Sequence, residues 1–142
     1  MLFRSVNFYN SAVSNIEIGN LEVHAKEGSS LYNIDKALQS HVTQGKFVII
    51  TNQESKRGCH AHLSNWQWFI PLLGRISLTF SDGKIKLEKT INEPGVFLKV
   101  PPGIWSEQTY EANSILLVFS SHKYEEENYV RDFEKFRNMK LI

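Results

Sequence analysis

The residues in this chain best able to do chemistry are two histidines spaced by one residue, His60 and His62. On an extended strand alternate side chains share a face, so both imidazoles point one way while Cys59 and Ala61 point the other. Side by side inside a closed sheet, two imidazoles make either a metal site or an acid/base pair, because histidine titrates near neutrality. The same alternation turns Cys59 away from the rings and argues against a thiol activated by them. Arg57 and Gly58 precede the pair, and Gln67 follows it. His24, His41 and His122 stand alone in sequence and read as surface or helix-face residues.

The elements that must hold these residues are short strands. Gly45, Gly58, Gly74, Asp82-Gly83, Pro94-Gly95 and Pro101-Pro102-Gly103 punctuate segments rich in β-branched and aromatic residues. Strands are expected over Phe47–Thr51, Gln67–Leu73, Arg75–Phe80, Ile85–Leu87, Val96–Val100 and Ile115–Phe119, with a hairpin turn at Ser81-Asp82-Gly83-Lys84. Many short strands at this spacing predict an all-β sandwich or small barrel. Ile34, Ala37, Leu38, His41 and Val42 recur at helical spacing and predict a short helix over Asn33–Thr43, with Ser30 available as its cap. The tail from Tyr124 to Met139 carries an apolar stripe that fits a terminal helix or a run of turns. Trp66 and Trp68 flank Gln67, so they face the outer layer or a dimer interface. Glu125-Glu126-Glu127 reads as a solvated acidic face.

With 142 residues, 42% hydrophobic and 22% charged, the chain is expected to form one domain over residues 1–142. Sixteen Lys+Arg against fifteen Asp+Glu give a formal net charge of +1, which leaves no footprint for a nucleic-acid polymer. A lone cysteine, Cys59, excludes an intrachain disulfide framework. The apolar runs Phe47–Ile50 and Ile115–Phe119 are far shorter than the roughly 20 residues of a membrane span. Met1-Leu2-Phe3-Arg4-Ser5 leads into polar Asn7 and Asn10 without a secretory core. A soluble cytoplasmic protein without a membrane partner is expected.

The spacing around the histidines resembles a known pattern. His60-x-His62, four residues, Gln67, six residues and Gly74 are similar to the first cupin motif. Gly95, five residues, Pro101-x-Gly103, two residues and Ser106 are similar to the second. The resemblance implies a cupin jelly roll, a double-stranded β-helix. Metal-binding cupins place three His and one Glu where this chain has His60, His62, Gln67 and Ser106. An amide and a hydroxyl are poor neutral ligands, and Glu107 sits on the opposite side of the strand from Ser106, so no bound metal is expected.

A closer resemblance lies in the words around those motifs. Arg57-Gly58-x-His60-Ala61-His62, Gln67, Pro101-Pro102-x-x-Trp105-x-Glu107, Leu116-Leu117-Val118-x-Ser120-Ser121 and Tyr124-x-Glu126-x-x-Tyr129-Val130-Arg131-Asp132-Phe133 resemble the WxcM-like sugar 3,4-ketoisomerases, as does Gly19-Asn20-Leu21. That family implies metal-free, cofactor-free action on dTDP-4-keto-6-deoxyglucose in bacterial surface-sugar (lipopolysaccharide O-antigen) pathways, by a homodimer exchanging N-terminal strands. Its chemistry removes a proton from C3 beside the C4 carbonyl, forms an enediol(ate), and returns a proton to C4. By resemblance His62 is the base and His60 assists. Arg57 pairs with the diphosphate or with a carboxylate ordering its loop. Gln67 orients a histidine, Trp105 stacks on base or sugar, and Tyr124 and Tyr129 form the rim.

The chain departs from the family at four places: Ser106 replaces a histidine, Phe47–Thr51 lacks a tyrosine, Leu63 replaces a lysine, and the helical Asn33–Thr43 stretch fills a short connection between strands. An impaired nucleotide-sugar-binding cupin acting as a binding or regulatory module is the alternative these losses leave open.

Overall fold

The structure, a computed structural model, describes residues 8–39 and 41–141. Met1–Ser5 and Ser40, the latter inside the expected 33–43 helix, lie outside them. In chain order the elements are β1 (Glu17–Asn20), β2 (Glu22–Lys26), β3 (Ser29–Asn33), α1 (Asp35–Leu38), β4 (Gly45–Ile50), β5 (Ser55–His62), β6 (Gln67–Leu73) and β7 (Ile76–Ser81). Then follow β8 (Lys86–Ile91), β9 (Val96–Val100), β10 (Trp105–Tyr110), β11 (Ile115–Ser120), β12 (Tyr129–Val130) and α2 (Phe133–Lys140). One sheet runs β1-β9-β6-β11-β4 and a second runs β12-β5-β10-β7-β8, all pairings antiparallel, while β2 and β3 form a separate hairpin. Two five-stranded antiparallel sheets enclosing one interior make the jelly roll that the strand spacing and the cupin motifs predict.

Alternation along each strand decides what fills that interior. Phe69, Leu78, Phe80, Leu98, Leu116 and Val118 point inward from β6, β7, β9 and β11 and are almost wholly buried. Each contributes about 1.5–3 kcal/mol relative to an exposed position. Their sequence neighbours point outward, where two smaller clusters cover the sheets. Over β6 and β9, α1 packs Ala37 against Leu21, Ile70 and Phe97. Over β5 and β10, α2 packs Phe136 against Ala61, Trp105 and Val130. Asp132 caps α2 by accepting the Lys135 backbone N–H at 3.0 Å. At its other end Lys140 Nζ donates to the Ser11 and Gly103 carbonyls at 2.7 and 2.8 Å, tying the helix to the Pro101-Pro102-Gly103 turn.

The turn at Asp82-Gly83 forms as expected, with Asp82 Oδ1 accepting from the Lys84 and Ile85 backbone N–H groups at 2.9 Å. The expected 33–43 helix contracts to the four residues of α1. Ser30 lies within β3 and does not cap it; Asn33 Oδ1 instead accepts the Asp35 N–H at 2.8 Å. Gln39, at φ +54°, ends the helix, and Val42 of the expected stripe is exposed. The tail combines both expected forms, a 3-10 turn at Glu126–Asn128 and the helix α2.

Candidate active site

Apolar filling gives way between the sheets to a cavity of about 750 Å³ lined from β4, β5, β6, β10, β11 and the tail. The strand that brings the histidines there is irregular. Opposite β10, Ser106 pairs with His60 and Glu107 pairs with Gly58, so Cys59 is a surplus residue in a β-bulge. Gly58 and Cys59 take φ of +86° and +63°. A Cβ on Gly58 would stand 2.9 Å from the Ser106 carbonyl oxygen, so glycine is required by backbone and by space. Cys59 in the bulge and Ala61 beyond it both turn outward into the cluster under α2, away from the histidines.

His60 and His62 point inward together, ring centroids 5.0 Å apart and planes perpendicular. Tyr129 on β12, paired with His62, lies against both, with centroids 4.7 Å from His60 and 4.4 Å from His62. His60 is on the cavity wall; His62, 5% exposed, stands one layer deeper, behind His60 and Tyr129. His60 Nδ1 and both ring nitrogens of His62 are buried without a hydrogen-bond partner among the described residues. Burial pushes His62 down to about 3; the neighbouring His60 and Arg131 act the same way, and the amides of Asn128 and Gln67 oppose them. Burial also lowers His60, partly offset by the Gly58 carbonyl. Both rings are therefore neutral at neutral pH. A neutral imidazole on the cavity wall, backed by a second one, is a proton acceptor in waiting.

Five cationic side chains, Lys46, Lys56, Arg57, Lys123 and Arg131, line the same cavity, and among the described residues no carboxylate does. Lys56 pairs with Glu107 at 3.2 Å, and Arg131 is held by both oxygens of Glu126 at 2.8 and 2.9 Å. Arg57 has no carboxylate partner among the described residues. Glu126 also accepts the Tyr124 hydroxyl, and Arg131 lies over the Tyr129 ring at 4.4 Å, so the tail forms one hydrogen-bonded rim. Within the acidic run, Glu126 is thus a structural partner and not a bare solvated charge.

The cavity brings together His60, Arg57, Gln67, Tyr124 and Tyr129, with His62 just behind. Gln67, 6% exposed, donates to Ser120 Oγ at 3.4 Å. Trp105 is not brought there. It faces outward under α2, its ring edge-on to Phe133 at 5.2 Å and its Nε1 donating to Glu107 at 2.9 Å. Strand alternation explains this, because an inward Ser106 obliges Trp105 to point out. Trp68 is buried in the outer layer beneath His41, as expected. His122 is not an isolated surface residue: it lines the cavity beside Asn65, whose Oδ1 accepts the His122 backbone N–H at 3.0 Å. Val48 faces outward, so the inward positions of β4, where a phenol would reach the cavity, are Phe47 and Ile49. Asn65, Gln108, His122 and the lysines carry no local sequence signal; only the closure of the barrel assembles them. Among the described residues no three His, Cys, Asp or Glu side chains converge as a metal cluster.

Comparison with known proteins places this geometry. The chain is 32% identical over 92 residues to the TDP-4-oxo-6-deoxy-alpha-D-glucose-3,4-oxoisomerase of Aneurinibacillus thermoaerophilus, a span of 64% of this chain and 66% of that enzyme. A 3,4-ketoisomerase from Helicobacter canadensis superposes with a TM-score of 0.82 at 25% identity, covering 90% of this chain and 98% of that one. WlaRA, a TDP-fucose-3,4-ketoisomerase from Campylobacter jejuni, superposes with a TM-score of 0.76 at 26% identity, over 89% and 96% of the two chains. The model of the FdtA family, described as WxcM-like, C-terminal, matches residues 15–141, from the start of the jelly roll to the end of α2, and the chain belongs to that family.

Proposed function

We propose that this chain is a 3,4-ketoisomerase of a TDP-linked 4-keto-6-deoxy sugar. The observation that carries the reading is a pair of neutral imidazoles with three buried, unpartnered ring nitrogens, one on the wall and one just behind it, at a cavity whose charged lining among the described residues is cationic. The cations suit a diphosphate, with Arg57 offering an unshared fork for two of its oxygens. The sugar then reaches the imidazoles. His62 takes the C3 proton; electrons move into the C4 carbonyl, giving an enediolate; the O3 proton passes to O4, and the proton held by the imidazoles is returned to C4 as C3 becomes the ketone. His60, on the wall beside the sugar, carries the proton between ring and substrate. Burial is the main reason His62 is a weak base in the empty cavity, with the neighbouring His60 and Arg131 adding to it. Tyr129 shields both rings from water on their open side.

The relatives named above are isomerases, which favours turnover over a binding-only module. The reading extends to one catalytic domain acting in cytoplasmic surface-sugar (O-antigen) synthesis as a homodimer. Exposed Val23, Leu31 and Tyr32 on the outlying β2–β3 hairpin support a second copy as cover, since a lone hairpin is marginal in water. Incubating the pure protein with TDP-4-oxo-6-deoxyglucose in D₂O tests the reaction. Formation of the 3-keto sugar with deuterium at the exchanged carbon is expected; tight binding with neither change overturns it.

A further inference from the structure

The reading above leaves unexplained how charge on the enediolate oxygen is met, since Ser106 stands where the resemblance places a histidine. The inward face of β10 answers this. Ser106, Gln108 and Tyr110 point into the barrel in succession, 3%, 5% and 0% exposed. Tyr110 O–H donates to Gln108 Oε1 at 2.7 Å, and Gln108 Nε2 donates to Ser106 Oγ at 3.3 Å. This order is dictated chemically. A buried phenol must place its proton somewhere, and Gln108 is the hydrogen-bond partner of the Tyr110 hydroxyl, so the amide oxygen faces Tyr110 and the NH₂ group faces the cavity. Burial pushes the Tyr110 phenol well above its ordinary pKa, so it remains a donor at every working pH.

Gln108 lines the cavity across the strand from Arg57 and next to Gly58. Its Nε2 lies 3.1 Å from where a Gly58 Cβ would stand, so the missing side chain opens the space in front of the amide. Of the two amide protons, one is used by Ser106 and the other has no partner among the described residues.

Resting on the isomerase reading, we infer that Gln108 donates this free N–H to the sugar oxygen that becomes negative in the enediolate, and that Tyr110 is a positioning residue holding the amide in that orientation. A neutral amide stabilises the oxyanion without surrendering a proton, which leaves proton return to the imidazole pair. Preorganised donors of this kind are worth about 10²–10³ in kcat.

The test compares wild type, Gln108→Leu, Tyr110→Phe and the double variant with TDP-4-oxo-6-deoxyglucose, and measures affinity for TDP alone. Gln108→Leu is expected to lower kcat about 100-fold with TDP affinity held within about threefold. Tyr110→Phe is expected to lower kcat by a smaller factor, and the double variant to be no slower than Gln108→Leu, because Tyr110 acts through the amide. Wild-type turnover with Gln108→Leu retaining more than half of it overturns the inference and leaves the isomerase reading standing. Parallel loss of kcat, TDP affinity and thermal midpoint makes Gln108 structural and also overturns it. Multiplying effects in the double variant overturn the role of Tyr110. Wild-type protein that binds TDP without turnover overturns the isomerase reading and this inference with it.

Discussion

The proposed chemistry stands on His62, and its environment makes the claim measurable. Replacing His62 with Asn keeps a polar side chain of similar reach but removes the base; turnover should fall by at least about 10²–10⁴ while TDP affinity stays within a few-fold, read by NMR in D₂O and by calorimetry. The depressed His62 also affects folding. Between about pH 3 and the ordinary histidine value of 6.5, the unfolded chain carries a proton that the folded chain refuses. Stability therefore falls as pH drops through that window, with a slope approaching about 1.4 kcal/mol per pH unit, and His62→Asn should remove that part of the slope in denaturant titrations. The inward orientation of both imidazoles was legible from two-residue spacing alone. Their difference in depth was not, because it depends on Tyr129, far away in sequence and delivered by β12. The outward turn of Trp105 follows from the same alternation that turns Ser106 inward.

Among elements, β5 matters most, and its bulge is the point where a small change does the most damage. Gly58→Ala forces a left-handed backbone on a residue with a Cβ, a cost of about 1–2 kcal/mol, and drives that Cβ toward the Ser106 carbonyl. A lower denaturation midpoint together with weakened TDP binding is the expected result, since Arg57 and His60 lie on either side of the bulge. Strands with clear apolar runs or alternation, such as Val96–Val100 and Gln67–Leu73, match their predicted spans. The β2–β3 hairpin was illegible for the opposite reason: Glu22–Lys26 and Ser29–Asn33 are largely exposed and carry no buried face to write a pattern. The helical stripe at 33–43 reflects only Ile34 and Ala37 meeting Leu21, Ile70 and Phe97, which takes one turn and not three.

Taken whole, a chain of net charge +1 concentrates five cations around one opening. Composition gave no hint of this, because the lining cations come from separated segments and the barrel alone assembles them. TDP affinity should accordingly fall as ionic strength rises from 0.05 to 0.5 M, about the range over which screening shortens from beyond 10 Å to a few ångströms, and Arg57→Ala should flatten that dependence. Calorimetric titrations across the salt series measure it. The described helices include none long and apolar enough to cross a bilayer. The surplus Cys59 has a geometric consequence for the entire ligand. Arg57 and His60 differ by an odd number of positions, a parity that would send them to opposite faces of an unbroken strand, yet both reach one interior. The bulge absorbs the odd residue and adds local twist, so it acts as a caliper joint that fixes the span between the guanidinium and the imidazole on one wall.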